Sequence, residues 1–136
     1  MNDPMLKGSC LCGGVAYEMR PPFAFFHYCH CSRCRKSSGS AHSTNILVRA
    51  DQFAWTRGED LVKRFEVPEA EHYCTGWCSV CGSAVPWQSR NKKGYLVPVG
   101  TLDDDPGSRP QSNIYFDSRA PWYTPVGDLP TYPEGG

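Results

Sequence analysis

The hydrophobic residues of this chain fall into short runs separated by glycine and proline. With 13 glycines and 12 prolines among 136 residues, no segment keeps a helical period for long. Short apolar or alternating runs bounded by turn-forming residues are typical of strands. Many short strands joined by turns favour antiparallel sheets. Seven strands are predicted, at Gly14–Met19, Phe23–Tyr28, Thr44–Val48, Leu61–Glu66, His72–Thr75, Tyr95–Val99 and Asn113–Phe116.

The remaining segments fit one mainly β domain. A single helical turn is predicted at Cys31–Ser37. The segment after Ala120 contains four prolines, so we expect an extended, irregular cover there rather than a strand or helix. No repeat or linker divides the sequence, and its length suits one core. Residues 1–136 are therefore predicted to form a single domain.

Charge and hydropathy exclude several partner classes. Lys and Arg number 14, as do Asp and Glu, whereas nucleic-acid-binding proteins usually carry a basic face. No apolar run approaches the ~18 residues that a transmembrane helix needs. The first residues contain no apolar segment typical of a secretion signal. We expect a cytoplasmic protein with neither nucleic acid nor membrane as partner.

The cysteines change this picture most. Thiols in a reducing compartment are typically metal ligands or redox groups, and clustered thiolates favour Zn²⁺. A disulfide scaffold is the alternative, but a bridge between cysteines one residue apart would be strained. Seven of the eight cysteines form two pairs and a trio: Cys10 and Cys12, Cys78 and Cys81, and Cys29, Cys31 and Cys34.

The two pairs together supply four thiolates, the number that closes a structural zinc site. Glycines follow both pairs, at Gly13–Gly14 and Gly82, and permit tight turns that aim two sulfurs at one point. A shared ion would tie the first strand to a late hairpin and add its binding free energy to folding. A thioredoxin-like redox pair at Cys78 and Cys81 is disfavoured because no βαβ pattern surrounds it.

The trio supplies only three thiolates, so its fourth position is left for water, substrate or a distant side chain. Three protein ligands and one exchangeable position are typical of catalytic zinc. Such an ion could deprotonate a bound thiol or polarise a carbonyl group. Nearby basic side chains could offset thiolate charge, bind a substrate carboxylate or simply be solvated: Arg33, Arg35 and Lys36.

Other side chains could complete the trio. His30 lies between two of the cysteines, and because adjacent side chains point apart we expect it outside the ligand set. His42 could line the pocket or be structural, whereas His27 and His72 carry no spacing signal. Cys74, the unclustered cysteine, is interpreted as a buried small side chain, with a fourth ligand or resolving thiol as alternatives.

Five segments carry a resemblance to a known family: Gly8–Gly14, Cys29–Arg35, Cys78–Ser83, Val99–Asp103 and Asn113–Trp122. The order of these segments, the spacing of their cysteines and the flanking glycines resemble those of the glutathione-dependent formaldehyde-activating enzymes (the CENP-V/GFA domain). This family has a Mss4-like fold. The resemblance implies packed antiparallel sheets tied by two zinc ions per chain. It assigns structural zinc to the two pairs and catalytic zinc to Cys29, Cys31 and Cys34.

The resemblance also implies an activity, the joining of formaldehyde to glutathione to give S-hydroxymethylglutathione. This reaction is classed with the carbon–sulfur lyases. The expected partners are therefore a small thiol such as glutathione and a small aldehyde. Five residues near the motifs are our candidates for substrate contact: Arg35, Ser38, His42, Asp117 and Arg119.

Two other functions are compatible with the sequence. In a non-catalytic binding module both zinc ions would be structural, and Cys74 or a histidine would close the trio. In a reductase of related fold, Cys74 would be the nucleophile. No Arg or Asn that would activate the Cys74 thiol flanks it in the sequence, so the reductase is disfavoured.

Overall fold

The structure is a computed structural model that describes residues 5–135. This part of the chain contains ten short strands and one α-helix. Five 3-10 turns lie between or after them, including Val99–Thr101 and Val126–Asp128. In chain order the strands and the helix are β1 Leu6–Ser9, β2 Ala16–Met19, β3 Phe25–Cys29, α1 Ser32–Ser38, β4 Ser43–Arg49, β5 Phe53–Arg57, β6 Val62–Glu66, β7 Cys74–Cys78, β8 Trp87–Gln88, β9 Gly94–Pro98 and β10 Ser112–Ile114.

The strands form three sheets with the orders β1-β2-β5, β10-β3-β4-β9-β8 and β6-β7. Every pair of neighbouring strands is antiparallel except β10 and β3, which run parallel. Parallel neighbours need a long connection, and β3 and β10 are separated in sequence by residues 30–111, which include β4 to β9. The mainly β fold is confirmed, with this one departure from antiparallel pairing.

Each of the seven predicted strands overlaps an observed one, whereas β1, β5 and β8 were not predicted. β8 has two residues and β1 contains glycine and lysine, so neither shows a β-rich run. The predicted helical segment Cys31–Ser37 matches α1 with a shift of one residue, because Cys31 is the N-cap and the helix ends before a left-handed C-cap at Gly39. Within residues 5–135 no helix is long and apolar enough to cross a membrane.

The main core lies between the three-stranded and five-stranded sheets. Phe53 of the three-stranded sheet stacks on Tyr95 of the five-stranded sheet with 4.0 Å between ring centroids, and Tyr17 stacks on Phe53 within its own sheet at 5.4 Å. This core fixes β3 and β4, which flank the cysteine trio. Its buried residues are Leu6, Tyr17, Met19, Phe26, Ile46, Val48, Phe53 and Val97.

The C-terminal segment is irregular apart from its one 3-10 turn. The Tyr123 ring packs edge-on against His30, with 5.2 Å between ring centroids. Trp122, Val126 and Tyr132 are largely exposed. The expected role of this segment as a cover stays a prediction.

Candidate metal centres

Two distant turns bring the paired cysteines together. Cys10 and Cys12 follow β1, whereas Cys78 ends β7 and Cys81 lies in the turn after it. All four sulfurs lie within 4.8 Å of one another, with 3.6 Å between the Sγ atoms of Cys10 and Cys12 and 3.9 Å between those of Cys12 and Cys78. Four thiolates around zinc at ~2.3 Å are about 3.8 Å apart. The four residues could therefore hold one metal ion.

Backbone N–H groups in the same turns point at these sulfurs. Such donors favour the charged thiolate, the form that binds metal. The Ser83 backbone is the main cause of a Cys81 pKa lowered to about 6. The donors and their N···S distances are Val15 to Cys10 at 3.2 Å, Gly14 to Cys12 at 3.4 Å and Val80 to Cys78 at 3.4 Å.

The trio is built at the junction of β3 and α1. Cys29 ends the strand, Cys31 caps the helix by accepting the Cys34 N–H at 3.3 Å, and Cys34 lies in the first turn. Their sulfurs lie within 4.8 Å of one another, and no further cysteine, histidine or carboxylate of residues 5–135 belongs to the group. The contact between the Cys29 and Cys34 sulfurs lowers the pKa of Cys34 to about 6 and raises the pKa of Cys29, because the two thiols share one proton. The trio could hold a metal ion with one position left over.

A cavity of about 520 Å³ opens beside the trio. All three cysteines line it, and its wall carries charge at Arg33 and Glu71. This volume lies within the ~300–1,000 Å³ usual for small-molecule sites. A small thiol or aldehyde could therefore reach the trio. We call this space the trio cavity.

The five predicted substrate contacts do not line the trio cavity. Ser38 and His42 line an adjoining cavity, and the Arg35 Nε is buried without a hydrogen-bond partner. Asp117 and Arg119 are exposed after β10, with the Arg119 guanidinium 4.4 Å from the centre of the Phe116 ring. Their role in substrate binding stays a prediction.

The four histidines have different surroundings. His30 is fully buried, its Nε2 lies 2.9 Å from Asn113 Oδ1, and it does not belong to the cysteine group. His42 packs against His30 with 5.1 Å between ring centroids, and burial lowers its pKa. His27 is half-buried and His72 is exposed, and both line the trio cavity.

Tyr73 is a site residue that the sequence did not indicate. Its hydroxyl lies 2.7 Å from Ser37 Oγ and 3.6 Å from Cys34 Sγ, and burial raises its pKa. Arg90 fixes this part of the chain by donating to the carbonyls of Val67, Ala70 and Tyr73 at 2.8–2.9 Å. These contacts join distant segments, so no local motif could have revealed them.

Cys74 is fully buried and belongs to neither cysteine group. No Arg or Asn flanks Cys74 in the sequence, but two arginines that are distant in sequence contact its thiol in the structure. Arg64 Nη2 lies 3.1 Å and Arg90 Nε 3.5 Å from its sulfur. Both arginines are distant in sequence, so the flanking residues did not reveal them. Its side chain has no solvent-exposed surface, which still disfavours a role as a nucleophile, although Cys74 lines the adjoining cavity.

These features define a class, a mainly β domain with one closed and one open cysteine centre. The model of the glutathione-dependent formaldehyde-activating enzyme family matches residues 5–118. The chain belongs to this family. Membership confirms the resemblance that the cysteine motifs indicated.

Two individual proteins are similar to the chain. One is a Halomonas elongata protein provisionally named as a glutathione-dependent formaldehyde-activating enzyme, 29% identical over 121 residues. That match covers 82% of this chain and 74% of the relative. The other is a Rhodobacter sphaeroides protein of known crystal structure, with a TM-score of 0.60 and 26% identity over 76% of this chain and 97% of the other.

Proposed function

We propose that the protein is a zinc-dependent carbon–sulfur lyase that forms and splits the adduct of a small thiol, such as glutathione, and a small aldehyde. The observation on which this proposal rests is that all three cysteines of the trio line a cavity large enough for a small molecule. Family membership supports the assignment. A cytoplasmic location, where thiols stay reduced, is part of the proposal.

Zinc is the metal that we propose for both donor sets, because each consists only of cysteine sulfurs that lie within 4.8 Å of one another. The four paired cysteines would hold a structural ion, and the trio would hold a catalytic one. When bound at the trio, zinc supplies Lewis acidity, which lowers the pKa of a thiol or polarises a carbonyl.

The residues around the trio would bind and orient the two substrates. Arg33 on the cavity wall can pair with a carboxylate of the thiol. The Tyr73 hydroxyl donates to Cys34 Sγ and lies beside Ser37, and it can donate to the aldehyde oxygen in place of the sulfur. In the forward direction the thiol loses its proton, the C–S bond forms as the C=O π bond breaks, and the oxygen gains a proton.

The proposed activity predicts metal-dependent adduct exchange. Fully metallated protein, ¹³C-formaldehyde and a panel of thiols would be followed by NMR exchange spectroscopy. We expect acceleration with at least one carboxylate-bearing thiol, loss after chelation and recovery with Zn²⁺. The matched control is 2-mercaptoethanol, a thiol without a carboxylate, which cannot make the proposed ion pair with Arg33. Absence of metal-dependent acceleration with every thiol would refute the proposed activity.

A further inference from the structure

A second cavity of about 410 Å³ adjoins the trio cavity. Four residues line both: Asn45, Tyr73, Trp87 and Leu96. Tyr73 therefore stands between the two spaces, with its hydroxyl near Cys34 on one side and Ser37 on the other. A molecule bound at the trio would have this second space directly beside it. We call it the side cavity.

The two cavities differ in charge. The trio cavity carries Arg33 and Glu71 beside the thiolates, whereas no Asp, Glu, Lys or Arg among the described residues lines the side cavity. Burial and, to a lesser extent, the neighbouring His30 lower the pKa of His42, which lines the side cavity. The indole rings of Trp77 and Trp87 contribute apolar surface. The side cavity therefore suits an uncharged group with apolar surface.

The volume of the side cavity also distinguishes formaldehyde from larger aldehydes as substrates. A volume of about 410 Å³ is that of a complete small-molecule site, for which ~300 Å³ is the usual lower bound. Formaldehyde has only two heavy atoms and needs no more than the space beside the trio. If formaldehyde were the sole aldehyde substrate, only the thiol part of the adduct could enter the side cavity, and the charged ends of glutathione do not suit a cavity without charged side chains.

We propose that the side cavity binds the carbon substituent of the aldehyde. On this proposal the preferred substrate is an aldehyde with an uncharged alkyl or aryl group rather than formaldehyde. In the adduct R–S–CH(OH)–R′, the charged thiol part R would lie in the trio cavity and R′ in the side cavity. The inference rests on the proposed function for the identity of the bound adduct.

Binding of unreactive thioethers tests this inference without any turnover. S-hexylglutathione and S-methylglutathione share every charged group and differ only in the carbon chain on sulfur. Burial of the five additional methylenes favours binding, less the cost of ordering the chain. We expect calorimetry on the metal-loaded protein to show at least tenfold tighter binding of the hexyl compound. Affinities equal within twofold would overturn the inference.

A cavity-filling variant localises the effect. Gly100 lines the side cavity, and a Cβ built there meets no atom within 4 Å. Gly127 is the matched control, because it is also the central residue of a 3-10 turn with open space around its Cβ position. We expect Gly100→Leu to abolish the hexyl advantage while methyl binding stays within twofold, and Gly127→Leu to change neither.

The outcomes separate the two proposals. A hexyl preference that Gly100→Leu removes supports the side cavity even if no aldehyde chemistry is found. Catalysis with formaldehyde but no hexyl preference leaves the proposed activity standing and overturns the side-cavity assignment. A hexyl preference that persists in Gly100→Leu also overturns it, because the chain would then bind elsewhere.

Discussion

The variant Cys78→Ser is expected to lose one metal ion per chain and to be largely unfolded at room temperature. Cys78 is fully buried at the end of β7, and its cluster joins that strand to the turn after β1. A structural zinc site contributes about 10–16 kcal/mol in small zinc domains, whereas an entire domain is stable by only ~5–15 kcal/mol. Circular dichroism and metal analysis of the purified variant measure both effects.

Cys74→Ser is the matched control for this prediction. Cys74 is equally buried on the same strand but belongs to neither cysteine group. We expect it to keep two metal ions and a cooperative unfolding transition, with a loss of about 1–3 kcal/mol from the buried hydroxyl. Loss of a metal ion in Cys74→Ser would instead favour the non-catalytic module. Full metal content and normal stability in Cys78→Ser would contradict the structural site.

Cys31→Ser is expected to abolish catalysis while preserving the fold. Cys31 is the N-cap of α1, and serine is among the best N-cap residues, so the helix keeps its first hydrogen bond. Only two thiolates then remain at the trio. We expect one metal ion to be lost, adduct exchange to fall by at least a hundredfold, and the circular dichroism spectrum to stay unchanged.

The neighbouring Ser32→Ala separates ligand loss from local perturbation. Ser32 lines the same cavity in the first turn of α1 but has no thiolate to offer. It should retain both metal ions and most of the activity. Exchange at the wild-type rate in a Cys31→Ser protein that has lost its second ion would show that the trio is not the catalytic centre.

The fold was predictable where local sequence sets local structure. Runs such as Thr44–Val48 predicted β4 closely because β-branched residues there lie in a buried central strand. β5 was not predicted although it carries Phe53 and Trp55. The turns on either side of it and the charged residue at its end interrupt the apolar pattern. The parallel pairing of β10 with β3 depends on a connection whose path the sequence does not specify.

The metal centres were predictable for a different reason. Cysteine spacing within each cluster is local, and thiolates have few other uses at such density. The cavity walls were not predictable, because Tyr73 reaches Cys34 only through a loop that Arg90 holds by three carbonyl groups. Candidates chosen for proximity in sequence, such as Arg35 and Ser38, consequently lie outside the trio cavity.

The open position at the trio is tested most directly by thiol titration of the cobalt-substituted protein. Cobalt replaces zinc in thiolate sites, and each sulfur ligand adds charge-transfer absorption. Glutathione should increase this absorption saturably in the wild-type protein and not in Cys31→Ser, while the closed four-cysteine site contributes a constant background. A spectrum that shows four sulfur ligands at both sites before thiol is added, and does not change afterwards, would contradict an open catalytic centre.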